Sequence, residues 1–407
     1  MGQVVLVTRY ALISPFEPTS SKQVLDYLRF KGYEIPTNPK TKQPSTDKKS
    51  VAKLLRLHPT DPVLQRLKMI RGYSKVIGDL QDTYIHSDGR FHTVFTLDVG
   101  TGRMASGAPN LMNQPQGRTE EERERALAQR SSIIPSEGFV LISRDWRAIE
   151  AQLVAYFADD PDYARIGLLG SHAYYASHLL GKPVPLSLPD DELGRRLDFI
   201  KKTEPIYPLA KKANLALNYG MGPYLLAEEL VVEFEEARRL IAVHENMAPK
   251  VKAWKEKTRL LAHKERTLRN PFGWVSPYFF DIFRKTARFD EEGRQIWEPR
   301  GKQANQVLAF LPQSTGAAML KEVWLALDDL LRDDHDFHLL IPVHDEILAE
   351  ARIGTEAKYH ALMRAAMERA WPELGGLTIA TEGKKGFNWS EAGDDNPRGM
   401  RAYVDPA

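Results

Sequence analysis

Two aspartates, Asp145 and Asp345, stand where apolar runs give way to polar residues. Asp145 closes a run that starts Phe139-Val140-Leu141-Ile142. Asp345 lies between Phe337 to Val343 and Ile347 to Ala351, which read as a strand–turn–strand hairpin. A carboxylate in such a place projects from a rigid sheet edge, and two of them brought together repel unless a divalent cation neutralises them. Hard oxygens suit magnesium, and two ions about 3.5–4 Å apart are the arrangement for in-line phosphoryl transfer. Each aspartate alone equally fits a turn residue that satisfies its own backbone. A third feature is the predicted helix Pro208 to Gly220, which ends in Gly220-Met221-Gly222-Pro223. Lys211, Leu215 and Tyr219 fall at i, i+4 and i+8 on one face. A cation, an apolar side chain and a ring in a row could bind the phosphate, sugar and base of one nucleotide. An amphipathic helix with a snorkelling lysine uses the same spacing.

These residues need a scaffold. Residues 1–18 read as a short leader and residues 19–85 as helices. Ser20 or Ser21 can cap Lys22–Lys31, and Ser45-Thr46-Asp47 precedes Val51, Leu54, Leu55 and Leu57. Thr37 to Ser45 is a Pro/Lys-rich loop. Leu64, Leu67, Ile70, Tyr73, Val76, Ile77 and Leu80 have the spacing of a buried helical stripe. Phe91 to Leu97 alternates as a strand, and about 147–265 is helical. Strands separated by a large helical insertion predict an α+β architecture whose sheet is assembled from distant segments.

At 407 residues the chain predicts two or three subdomains, and 43% hydrophobic with 27% charged residues is ordinary for a globular protein. The apolar stretch Val4 to Val7 is too short for a membrane span and no small-residue cleavage site follows it. The absence of cysteine excludes disulfides, thiolate zinc sites and cysteine nucleophiles. The net charge of +2 hides an uneven distribution. From Lys40 to Lys75 ten basic residues (Lys40, Lys42, Lys48, Lys49, Lys53, Arg56, Arg66, Lys68, Arg71, Lys75) face only Asp47 and Asp61. Such a surface suits a phosphate backbone, or is simply a solvated helix face.

Several segments resemble the family A DNA polymerases of the bacterial polymerase I, Klenow and phage type. Ser143-Arg144-Asp145-Trp146-Arg147-Ala148-Ile149-Glu150 is similar to the family's first catalytic motif, Ala210-Lys211 through Tyr219-Gly220 to its fingers helix, and Val343-His344-Asp345-Glu346 to its last motif. Gln43-Pro44-Ser45-Thr46, Thr101-Gly102-Arg103 through Asn113, Phe272-Gly273, Gln313 to Ala317 and Asn388-Trp389 supply supporting blocks in the family's order. The resemblance spans nearly the whole chain from about Thr19.

It implies a right-hand fold with a palm sheet, helical fingers and a helical thumb: leader 1–18, thumb with the start of the palm 19–97, palm 98–165, fingers 166–300 and palm again 301–407. It implies a magnesium-dependent nucleotidyltransferase of DNA replication and repair that adds deoxynucleotides to a primer 3′ end. Two Mg2+ ions, replaceable by Mn2+, would be held by Asp145, Asp345 and the Trp146 backbone carbonyl, with Glu346 in support. His172, Lys211, Leu215, Tyr219 and Glu150 would bind the nucleotide, Glu150 as the gate against a ribose 2′-hydroxyl. Arg103, Asn110, Asn113, Gln313, His344, Lys48, Lys49 and Lys53 would bind primer–template DNA. The enzyme is expected to be a monomer in a bacterial cytoplasm or phage-infected cell. Only about 18 residues precede the thumb, so no exonuclease domain is expected within this chain, whether the natural enzyme lacks one or the chain is an excised fragment. A reverse transcriptase, a lesion-bypass enzyme or an inactive DNA-binding relic would share the scaffold.

Two positions depart from the family pattern. Tyr207 stands where an arginine usually clamps the triphosphate. The lost charged hydrogen bond is worth about 1.5–3 kcal/mol unless Lys201, Lys202 or Lys212 compensates. Leu215 stands where Phe or Tyr is common.

Overall fold

The computed structural model describes residues 16–38, 41–81, 83–97, 99–114, 120–289 and 291–405. The apolar stretch Val4 to Val7 and Lys40 lie outside the described residues, as do the side chains of Lys75 and Leu80. The chain divides into two compact units, one of Met1–Thr93 with Asn113–Ile133, the other of Val94–Met112 with Ile134–Ala407.

The first unit is helical: α1 (Ser21–Phe30), α2 (Lys48–Leu57), α3 (Pro62–Gln81) and α4 (Glu120–Arg130). Ser20 caps α1 and Asp47 caps α2 through the Ser50 N–H. Val24, Leu28, Val51, Leu54, Leu64 and Leu67 meet in one small core. That core ends after two turns of α3, so Ile70 and Ile77 are exposed and the expected continuous stripe is not formed. The later turns meet α4 through polar contacts instead. The Tyr73 hydroxyl donates to Glu124 at 2.7 Å and Arg125 lies over the Tyr73 ring. Asp61 is buried ahead of Pro62, where it accepts from the Val63 and Leu64 N–H groups (2.9 and 3.0 Å) and from the hydroxyls of Tyr27 and Tyr33 (2.8 and 2.7 Å). It is a helix cap. Arg71 is also turned inward, donating to the carbonyls of Pro18 and Thr46, so it is not part of the basic surface. Lys48, Lys49 and Lys53 are exposed along α2 while Val51 and Leu54 face the core.

In the second unit, β1 (Val94–Thr96) pairs with β2 (Ala105–Gly107), so the predicted strand from Phe91 is reduced to three exposed residues. The main sheet has the order β6-β7-β3-β8-β9 and is antiparallel throughout: β6 (Phe337–Val343), β7 (Glu346–Arg352), β3 (Phe139–Trp146), β8 (Thr381–Gly386) and β9 (Arg401–Tyr403). Side chains alternate across it. Val140, Ile142 and Trp146 of β3, with Ile347, Ala349 and Ala351 of β7, pack on α13 (Ala304–Leu331) and α14 (Glu356–Met367). Ser143 and Asp145 point to the other face, where Leu348 and Lys384 are the neighbours of Ser143 in register and Glu346 and Glu382 those of Asp145.

The helical region is eight helices: α5 (Ile149–Ala158), α6 (Pro161–Leu169), α7 (Ser171–Leu179), α8 (Asp190–Thr203), α9 (Tyr207–Asn218), α10 (Pro223–Leu230), α11 (Phe234–Met247) and α12 (Pro249–Glu265). Prolines at the first turns of α6, α9, α10 and α12 set helix starts where an N–H is not needed. Ala210, Ala213 and Leu217 of α9 are buried among Tyr175, Leu197, Leu240 and Trp254. A two-stranded ribbon, β4 (Arg284–Phe289) and β5 (Gln295–Glu298), separates α12 from α13. Among the described residues no helix is long and apolar enough to cross a membrane.

Candidate active site

Strand register builds the acidic centre. β3 pairs Asp145 with Glu346 on β7 and with Glu382 on β8, so three carboxylates form one row across the sheet. Asp345 precedes Glu346 in the tight β6–β7 turn, and its carbonyl accepts from the Trp146 N–H at 3.4 Å. The turn holds His344 at φ +58°, a left-handed conformation that a non-glycine residue adopts at some cost. Like charges directly opposite on neighbouring strands destabilise a sheet, so folding alone does not favour this row.

The electrostatics follow. Burial, then the charges of Asp345 and Glu346, hold the Asp145 carboxyl far above the usual range, with Lys384 partly offsetting them. Asp345 is raised too, first by burial; Arg103 pulls it back, while Glu150 and Glu346 add to the rise. Asp145 Oδ1 is buried without a hydrogen-bond partner. An oxygen-only donor set with an unpartnered carboxylate oxygen fits a hard divalent cation. Among the described residues no group of three or more His, Cys, Asp or Glu side chains is arranged to hold a metal ion by itself. Magnesium characteristically takes only one or two carboxylates and completes its shell with water and substrate phosphates.

Beside this centre Arg103 donates to Glu150 Oε1 at 2.7 Å, and the Tyr219 hydroxyl donates to Glu150 Oε2. Burial and the adjacent Glu150 raise the Tyr219 pKa, so the phenol stays protonated as a donor; Gln313 also reaches it. His344 is shifted down by burial and by Arg103. Arg103, Glu150, Tyr219, Gln313, His344, Asp345, Asp145 and Glu346 therefore form one connected constellation. Tyr219 follows the end of α9, where Gly220 turns the chain at φ +72°. A Cβ at Gly220 would lie 2.7 Å from the Arg259 guanidinium, whose tip would have to shift to admit it.

Lys211, Leu215 and Tyr219 are all exposed on α9, opposite its buried alanines. Lys211 lies about 12 Å from Tyr219 along the helix at 1.5 Å per residue. His172 stands beside it, lowered in pKa by burial and by the Lys211 charge, and fixed by Asn214 Nδ2 at 2.9 Å from Nδ1. Tyr207 opens α9 half-buried against the helical core. Of its possible substitutes, Lys202 is engaged with Asp198 at 2.5 Å, while Lys201 and Lys212 are exposed. Asn110 accepts from Ser106 Oγ at 3.2 Å just after β2, and the Trp146 indole donates to the Met367 carbonyl behind the sheet. Asn113, Lys48, Lys49 and Lys53 belong to the first unit.

Sequence reasoning missed Glu382 and Lys384, which register sets beside Asp145 and Ser143. Thr381–Gly386 has no apolar alternation to mark it as a strand. Its glycines are there for clearance: a Cβ at Gly386 would lie 2.5 Å from the Gly399 backbone. Asn214 and Asn305 were also missed. Asn305, with its amide turned to donate, reaches the Gly220 and Tyr219 carbonyls at 2.9 and 3.3 Å.

An antiparallel sheet with an acidic row at its lip, beside a helix presenting Lys and Leu with Tyr219 at its end, defines a mixed α+β domain. The family model described as DNA polymerase family A matches residues 6–182 and 203–391, and the chain belongs to that family. It is 28% identical over 391 residues to the thermostable DNA polymerase I of Thermus caldophilus, covering 93% of this chain and 42% of that protein. It is 29% identical over 393 residues to DNA polymerase I of Deinococcus radiodurans, covering 92% and 36%. The fold is similar to the POL domain of Pol1 from M. smegmatis in complex with DNA primer-template and dNTP, with TM-score 0.68 and 26% identity over 92% of this chain and 61% of that one. The chain thus spans less than half the length of these curated relatives.

Proposed function

We propose that this chain is a template-directed DNA polymerase that extends a primer 3′ end with deoxynucleotides. The observation that carries the reading is the row Glu346–Asp145–Glu382 with Asp345 adjoining it, an acidic cluster in which burial raises Asp145 and Asp345 and Asp145 Oδ1 lacks a partner. Asp145 and Asp345, with the Trp146 carbonyl, would hold two divalent ions, magnesium or manganese. When bound, these lower the pKa of the primer hydroxyl and neutralise charge on the triphosphate and pyrophosphate. In this reading the sheet is the palm (98–165 and 301–407), residues 166–300 are the fingers and residues 19–97 the thumb.

The chain's own residues do the positioning. Lys211 and His172 receive the triphosphate at one end of α9. Tyr219, at the other end, lies on the base, and its hydroxyl leaves Glu150 when a pair enters. Glu150, held by Arg103, stands where a ribose 2′-hydroxyl would fall and excludes it. Arg103, Gln313 and His344, with Asn110 and Asn113, follow the duplex by groups that every correct pair presents alike. Lys48, Lys49 and Lys53 grip phosphates without reading sequence, so affinity falls with salt.

Primer extension on a defined template with magnesium tests the proposal. Asp145→Asn or Asp345→Asn should lower the rate on the order of a thousandfold, the scale of several kcal/mol of lost charge stabilisation. Undiminished extension by either variant would refute it. An RNA template in the same assay separates a reverse transcriptase.

A further inference from the structure

The turn that ends α9 is held by side chains from three other helices. Lys255 Nζ of α12 donates to the Leu217 carbonyl at 3.0 Å. From α13 the Asn305 amide reaches the Gly220 and Tyr219 carbonyls. Asn218 Oδ1, at the last position of α9, accepts from the Tyr163 hydroxyl at 3.1 Å and lies 3.2 Å from His244 Nε2 of α11. The Leu217 carbonyl already accepts the Gly220 N–H at 2.9 Å. The ammonium therefore reinforces a turn that the backbone has closed, at the negative pole of the helix dipole.

A lysine is costly in that place. On a helix surface it ordinarily carries its ammonium out to water. Here burial, then the Arg259 charge, pushes the Lys255 pKa down to about 8, with Glu245 partly offsetting them. Glu245 is itself engaged by Lys252 at 2.9 Å. Burial, then the Lys255 charge, pushes His244 down to about 3, so that ring is neutral. The neighbouring core is apolar, with Val251 and Trp254 of α12 packed among Leu217 and Leu240. A methionine would fill the same space without giving up the hydration of a charge. Packing alone therefore does not account for Lys255.

What the lysine holds is the peptide unit two residues ahead of Tyr219. Tyr219 is 38% exposed, so contacts around its ring leave its direction open and the backbone of this turn has to set it. We propose that Lys255 is a positioning residue for Tyr219: together with Asn305 it pins the turn after α9 and so fixes where the phenol ring meets the nucleotide. Lys255 acts through the backbone, as a donor behind the helix, and touches neither substrate nor metal. The role given to the ring rests on the polymerase reading, and Lys255 deepens that reading by supplying what holds the ring in place.

Fluorotyrosine placed at position 219 reports the ring by fluorine NMR without catalysis. The unmodified chain should give one narrow resonance. Lys255→Met removes the donor and keeps the length of the side chain, and Asn305→Ala removes the second donor; each should broaden or split that resonance, with circular dichroism confirming the fold. In primer extension each should raise the nucleotide KM about fivefold, one hydrogen bond's worth, and leave kcat within about twofold. In a Tyr219→Ala background neither should move KM further, because no ring remains to be placed. An unchanged resonance in either folded variant overturns the proposal, as does an equal rise in KM without the ring. A fall in kcat alone does so too, since that is the mark of a destabilised fold. Failure of the unmodified chain to extend primers would instead sink the polymerase reading, and the resonance would still decide whether Lys255 holds Tyr219.

Discussion

Asp145 shows how a residue useful for chemistry burdens the fold. Its neighbours across the sheet are Glu346 and Glu382, and burial together with Asp345 and Glu346 raises its pKa. A carboxyl raised on folding is penalised when ionised. The penalty is fully felt above the raised folded value and vanishes below about pH 4, where both states are protonated. Asp145→Asn should therefore gain about 0.5–2 kcal/mol of stability at neutral pH in a chelating buffer while losing primer extension. A thermal melt that shows no gain, or a gain that persists in acid, contradicts this account. Leu215 raises a different question. It is exposed between Lys211 and Tyr219 and lacks a ring or hydroxyl for the sugar. Leu215→Tyr should raise the dideoxy-to-deoxy incorporation ratio by up to about tenfold, one hydrogen bond's worth. A ratio that does not move would remove Leu215 from sugar discrimination.

Among the elements, α3 and α9 owe their ends to specific residues. Burial opposes ionisation of Asp61, but bonds from Leu64, Tyr33, Tyr27 and Val63 hold its pKa below the usual carboxylate range. The stabilisation it gives is complete above the unfolded pKa and is lost as pH falls through the lowered folded one. Asp61→Ala should cost about 2–4 kcal/mol, a helix cap plus two tyrosine hydroxyls left without their acceptor, read by denaturant titration. Destabilisation below 1 kcal/mol, roughly the worth of a cap alone, would mean the tyrosine bonds contribute little. At the other helix, Gly220→Ala meets both the positive φ and the Arg259 guanidinium. It should cost about 1–3 kcal/mol and slow extension, since Tyr219 hangs on that turn. Gly-Met-Gly-Pro marked the end of α9 in the sequence, whereas Asp61 read only as a charge opposing the basic run. The partners came from elsewhere in the chain.

At the scale of the whole molecule, each unit has a core of its own, built in the first from Val24, Leu28, Val51, Leu54, Leu64 and Leu67. Calorimetry should resolve two transitions, and Leu54→Ala should lower only one of them, by about 2–5 kcal/mol. A single transition lowered as a whole would show one cooperative body. The chain leaves the first unit after Thr93, returns at Asn113 and leaves again after Ile133, and no local signal announces that path. Local patterns sufficed for much else. Apolar runs marked β3 and the β6–β7 hairpin, and 3.6-residue spacing marked α9, because run length and helical period are fixed by backbone geometry within a few residues. Side-chain type, position at strand ends or along one helix face, and the motif resemblance together nominated Asp145, Asp345, Lys211 and Tyr219. What the sequence left open is set by neighbours far apart in the chain. Register against β8 brought Glu382 and Lys384 beside Asp145, Arg71 and Asp61 were withdrawn from the basic surface, and Arg103 and Tyr219 closed on Glu150. Pairing, burial and charge are properties of the assembled surroundings, and only the folded chain supplies them.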